Sequence, residues 1–169
     1  MNLNPDTMTP AELFSASSSP NTSFASQPQG VNPDTMTPQQ IYQANQTPQD
    51  VTNAKQELGK HESAGWCENW AENMAGIGYQ GSTAIDAFNN FSSKGKAFQG
   101  IQGVQPGDFL YFNGAGGLGH VGVVTQINPQ NGEPTFISAT DNGVESHSLT
   151  DWENYAGQQY LGYAKPYAQ

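Results

Sequence analysis

The hydrophobic and polar positions change rhythm twice along the chain. Residues 1–46 show no sustained period: they are rich in Ser, Thr, Asn, Gln and Pro, and hold three charged groups, Asp6, Glu12 and Asp34. Such a segment buries too little apolar surface to offset the entropy of ordering, so an extended or disordered arm is expected. From residue 47 a helical period begins. Thr47 reads as the cap of a helix over 48–58, with Val51, Ala54 and Leu58 on one face and Gly59 after it. A second helix starts at Trp66 or Cys67, packs Trp70, Ala71 and Met74 on one face, and stops at Gly76. A third covers 82–91. The period then shortens: "GDFLYF" (107–112), "HVGVVTQI" (120–127), "PTFISAT" (134–140) and "YLGYAKP" (160–166) read as strands. The turn "NPQNGE" (128–133) joins the middle two as a hairpin. Helices followed by an antiparallel sheet make an α+β domain over 47–169, preceded by the arm.

The arm contains a repeat. "LNPDTMTPAELF" (3–14) returns as "VNPDTMTPQQIY" (31–42), with NPDTMTP identical. Each copy carries a helix start: Thr9 or Thr37 as cap, then Pro10 or Pro38, then Glu12 or Gln40. Met8, Leu13 and Phe14, with Met36, Ile41 and Tyr42 in the second copy, are the apolar anchors of a duplicated docking peptide; the alternative is a spacer that grew by duplication. The 16 residues between copies reach ~55 Å extended or about 22 Å as coil. Two equivalent sites on a symmetric assembly can then be held at once.

Charge narrows the partners. Five lysines, no arginine and fifteen acidic residues give a net charge of −10. That disfavours nucleic acid, where basic groups neutralise phosphate, and adhesion to anionic membranes. The sequence contains no apolar run of membrane-spanning length, and "MNLNPDTMTP" lacks the charged start and apolar stretch of a signal peptide.

The single cysteine, Cys67, excludes an internal disulfide. A lone cysteine is ordinarily core packing, but this one stands at a helix start, where the dipole favours thiolate. His120 opens a strand behind the flexible "GAGGLG" (114–119) and suits a general base. Ser138, Asp141 and Asn142, at the end of the next strand, are candidates to orient the imidazole, with Asp141 favoured because a carboxylate best stabilises an imidazolium. His61, just before the cysteine helix, and Glu62, Trp66 and Gly119, which flank the pair, are the candidate substrate-cleft residues. His147, in the polar "ESHSL", reads as solvated. No C-x-x-C or H-x-x-x-H spacing suggests a metal, and no G-x-S-x-G elbow marks a serine hydrolase. No cofactor is expected.

The ordered series "AKQELGKHE", "GWCENWAENM", "VQPGDFLYF", "GLGHVGVV", "FISATDNGV" and "YLGYAKP" resembles the CHAP family (cysteine, histidine-dependent amidohydrolase/peptidase) and its NlpC-type relatives. The resemblance covers about 48–167 and implies a papain-like fold. It also implies a peptidoglycan amidase or endopeptidase with Cys67 as nucleophile and His120 as base. Two departures stand out: Glu68 where a small residue is common, and Ser138 where relatives carry histidine, or asparagine or glutamate nearby. Frequent use of such hydrolases by bacteriophages implies a virion-associated enzyme, tethered to a capsid or tail by the arm and acting in the periplasm or wall. An inactive docking protein with the same fold and an antibacterial amidase effector are the competing readings.

Overall fold

The computed structural model describes residues 47–61 and 66–167. The arm with its six anchor residues, and Glu62, lie outside the described residues. Helices α1 (Gln49–Glu57), α2 (Cys67–Ala75) and α3 (Ala84–Ser93) come first. Strands β1 (Ala97–Phe98), β2 (Phe109–Phe112), β3 (His120–Ile127), β4 (Pro134–Thr140) and β5 (Gly143–Ser148) follow, then α4 (Leu149–Ala156) and β6 (Tyr160–Ala164). The sheet is antiparallel throughout, in the order β1-β6-β2-β3-β4-β5.

Alternation along the strands builds two cores. Phe109 and Tyr111 of β2, Val121 and Val123 of β3, and Ile137 and Ala139 of β4 face one way. They meet Val51 and Ala54 of α1, Trp70 and Ala71 of α2, and Phe91 of α3. Leu110 and Phe112, Val124 and Phe136 face the other way and meet Leu149 and Trp152 of α4. Covering on both faces explains why β2 reads FLYF with no polar position: all four residues are fully buried.

β3, β4 and their hairpin fall where the period predicts, over 120–127 and 134–140. α2 also begins at Cys67, and Gly76 closes it in the left-handed conformation (φ 64°). Other boundaries differ. Pro48, not Thr47, stands at the head of α1, without a side-chain cap. Its fixed φ of −54° with extended ψ turns the chain into the helix instead. Leu58, expected on the buried face, lies past the last turn and is 45% exposed. α3 starts at Ala84, because the Thr83 hydroxyl accepts the Asp86 N–H as its cap.

β5, α4 and the short β1 are additions to the predicted elements. α4 carries a readable start and stop: the Ser148 hydroxyl accepts the Asp151 N–H, and Gly157 ends the helix at φ 63°. β5 is masked in the sequence by polar residues, because Glu145 and His147 face a cleft and an aromatic cluster rather than an apolar core.

Candidate active site

One cleft of about 870 Å³ opens where β3 begins and β4 ends. The N-terminus of α2 forms one wall and α4 another, and Cys67, His120, Asp141 and Asn142 all line it. Trp66 and Gly119, two of the expected cleft residues, line it too; Trp66 is 72% exposed at the rim. His61 is exposed and is not among the residues lining it, although its ring packs beside Gly143 in the β4–β5 turn.

Cys67 is the first residue of α2 and half-buried, packed against the helix-side core. The first intrahelical bond runs from Trp70 N–H to Trp66 C=O. The amides of Cys67, Glu68 and Asn69 precede it, so the helix offers them no carbonyl partner. Backbone donors from Val121, Glu68 and Cys67 itself surround the sulfur and favour thiolate, but burial outweighs them and pushes the thiol up from its ordinary value. The expectation of a thiol acidified by its helix is thereby corrected. The dipole is present, but the sulfur sits in an apolar wall where a charge is poorly solvated.

His120 is the first residue of β3, paired with Phe112 of β2, and only 6% exposed. Burial, with His147 nearby, lowers its imidazole to about 3. The resting pair is thus a neutral thiol and a neutral imidazole. Gly119 makes this placement possible: at φ 75°, a Cβ there would lie 2.9 Å from the Phe112 carbonyl and 2.8 Å from Ile85. The chain passes that crowded point and delivers His120 to the sheet end.

Nucleophile and base arrive from opposite faces of the sheet. Val121 and Val123 face the helices with Cys67. His120 therefore faces the α4 side, together with Phe136, Ser138 and Thr140 of β4 and their partners His147 and Glu145 of β5. Both line the one cleft at the start of β3, where the backbone N–H of Val121 bonds the sulfur.

The three candidates for an orienting group separate sharply. Asp141 and Asn142 are the exposed pair in the two-residue turn between β4 and β5. Ser138 is fully buried and is not among the residues lining the cleft, and its Oγ has no hydrogen-bond partner among the described residues. His120 Nε2 is likewise buried without a partner among those residues. Thr140, between them, accepts the Asn142 N–H at 3.1 Å, with the Gly143 carbonyl at 3.0 Å and Glu145 Oε2 at 2.9 Å as acceptors for its single proton.

Three further groups line the cleft unannounced by the sequence patterns. Glu68 is 6% exposed and its carboxyl is pushed up to about 9, first by burial and then by the neighbouring Glu72. It therefore stays protonated at neutral pH and keeps a charge away from the sulfur. Glu72 is also buried and accepts the Gln80 N–H. Their i,i+4 spacing on α2 was legible; their burial was not. Trp152 of α4 stacks on His120, with ring centroids 4.4 Å apart and planes 21° apart. His147, expected in solvent, packs against the same indole at 4.9 Å and has a side chain 19% exposed. Among the described residues, no group of three or more His, Cys, Asp or Glu side chains gathers as a metal site.

No curated protein matches this chain. A solved structure, "The crystal structure of Ly7917", is similar with a TM-score of 0.47 at 18% identity, over 72% of this chain and 62% of that one. This chain thus spans less than two thirds of that chain's length. The model of the CHAP domain matches residues 51–142, a span of more than half the sequence that contains both Cys67 and His120. The chain belongs to the CHAP domain family.

Proposed function

We propose that this protein hydrolyses an amide bond in the peptide part of peptidoglycan, with Cys67 as nucleophile and His120 as general base. CHAP domains are cysteine- and histidine-dependent amidases or endopeptidases of peptidoglycan. The observation that carries the reading is that the only cysteine and a buried histidine line the same large cleft.

The chemistry follows from the neutral pair. The thiol attacks the carbonyl carbon as His120 takes its proton, so charge separates only in the transition state. The developing oxyanion faces the amides at the head of α2 that no helix carbonyl takes up, Cys67 N–H among them. Collapse breaks the C–N bond, and the imidazolium protonates the departing amine. A thioester on Cys67 remains. Water, deprotonated by His120, then releases the carboxylate and restores the thiol. Asp141 and Asn142, exposed at the cleft mouth, are the polar residues best placed to steer the substrate.

The arm adds a location to this reading. Its duplicated NPDTMTP segments tether the enzyme to a symmetric phage particle, a capsid or tail, that delivers it to the wall. Zymography on purified wall tests the chemistry: wild type clears the substrate, and Cys67→Ala and His120→Ala do not. Equal clearing by wild type and Cys67→Ala would refute it. Deletion of 1–46 tests the tether separately. Hydrolysis should persist while the protein disappears from particles, and a truncated protein that still copurifies with them would sink the docking role.

A further inference from the structure

A histidine that must accept and return a proton needs its ring held in one plane. In a triad a hydrogen-bonding third group does this. Here, among the described residues, no side chain hydrogen-bonds His120 Nε2. Ser138 Oγ lies fully buried without a bond, and Asp141 stands out in a turn.

What does contact the imidazole is an indole. Trp152 lies at 4.4 Å and 21° to it, a closer and flatter approach than that of Phe112, at 6.3 Å and 45°. Trp152 is itself fixed. It is 4% exposed, and its Nε1–H donates to Gln158 Oε1 at 3.3 Å. Phe136 meets it edge-on at 5.9 Å, and Phe112 and His147 pack around it. The stack is therefore a rigid wall rather than a mobile cover. Trp152 lies beyond the residues matched to the family, on a helix that is an addition to the predicted elements.

We infer that Trp152 is the positioning residue for His120, holding the imidazole by ring stacking in the role that a polar third group plays in a triad. The inference rests on His120 being the general base. The physics goes further than orientation. When His120 takes the Cys67 proton, the ring becomes a cation lying over the face of an indole, the best of the aromatic partners for a cation. The attraction grows as charge develops, so it favours the transition state over the neutral resting pair. A buried imidazolium with no carboxylate bonded to it gains its stabilisation in this way.

The test combines kinetics with a spectroscopic signature. In the wild-type chain, the His120 ring protons should resonate upfield in proton NMR, shifted by the indole ring current. Trp152→Leu keeps an apolar group of moderate size and removes the aromatic face. It should abolish that shift and lower kcat on soluble muropeptides by about 10-fold to 100-fold, with KM little changed, because misplacing a catalytic group costs rate rather than affinity. Trp152→Phe restores a face and should recover most of the lost rate. Absence of the upfield shift in wild type would overturn the inference, whether or not the leucine variant folds. So would a leucine variant with kcat within twofold of wild type. If His120→Ala is inactive while Trp152→Leu is fully active, only the role of Trp152 fails. If His120→Ala keeps its activity, the general-base reading fails first.

Discussion

Glu68 makes stability itself pH-dependent, and Glu68→Gln should remove that dependence. Its carboxyl is 6% exposed beside Glu72 and rises from 4.5 to about 9. The folded protein therefore keeps the proton through neutral pH, while the unfolded chain releases it above about 4.5. Unfolding sheds a proton in that window, so stability falls as pH rises from about 4.5 to 9. At roughly 1.4 kcal/mol per pH unit, the ceiling at pH 8 is about 5 kcal/mol. Relaxation around a buried charge reduces this to a few kcal/mol. Glutamine has nearly the same shape and no proton to lose. His120 pulls in the opposite sense: lowered to about 3, it contributes stability that is lost as pH falls below the ordinary imidazole value near 6.5. It is present in both proteins and cancels in the difference. Urea unfolding at half-unit steps from pH 5 to 8.5 measures that difference. The variant should gain about 2 kcal/mol or more on wild type between pH 5 and pH 8. Two parallel stability curves would mean that Glu68 is already ionised in the fold and would refute the reasoning.

The raised Cys67 thiol predicts slow alkylation of the protein by iodoacetamide at pH 7, accelerating only as the pH passes the ordinary thiol range; a rate already at its plateau at pH 6 would show a resting thiolate. Gly119→Ala forces a Cβ to within 2.9 Å of the Phe112 carbonyl at φ 75°, and should cost about 1–3 kcal/mol and depress kcat by displacing His120; thermal melts and steady-state kinetics read the two effects. Lys165 Nζ lies 2.8 Å from Asp108 Oδ2, with Asp108 6% exposed. Lys165→Met leaves that carboxylate without its cation and should destabilise by about 2 kcal/mol, between the values typical of exposed and buried pairs, which chemical denaturation at pH 7 will measure.

The two catalytic candidates and the elements that carry them were legible because each rests on local signals. Cys67 stands at a helix start closed by Gly76, and His120 follows a glycine loop at the head of an eight-residue apolar strand. The environment of those groups was not legible. The dipole at α2 argues for an acidic thiol, but desolvation by the helix-side core depends on strands 40 or more residues away. β5 escaped because strand patterns assume an apolar face, whereas Glu145 and His147 face a cleft and an aromatic cluster. α4 carried its own signals in Ser148, Asp151 and Gly157. Its consequence, an indole against His120, emerges only once the chain returns across the sheet.

The measurement that bears most directly on the account is mass spectrometry of muropeptides released from purified wall by wild type and by Cys67→Ala. Wild type should release fragments carrying one new amine and one new carboxyl at a single kind of amide bond, and the alanine variant should release none. Identical fragments from both proteins, or fragments cut between sugars with every amide intact, would contradict it.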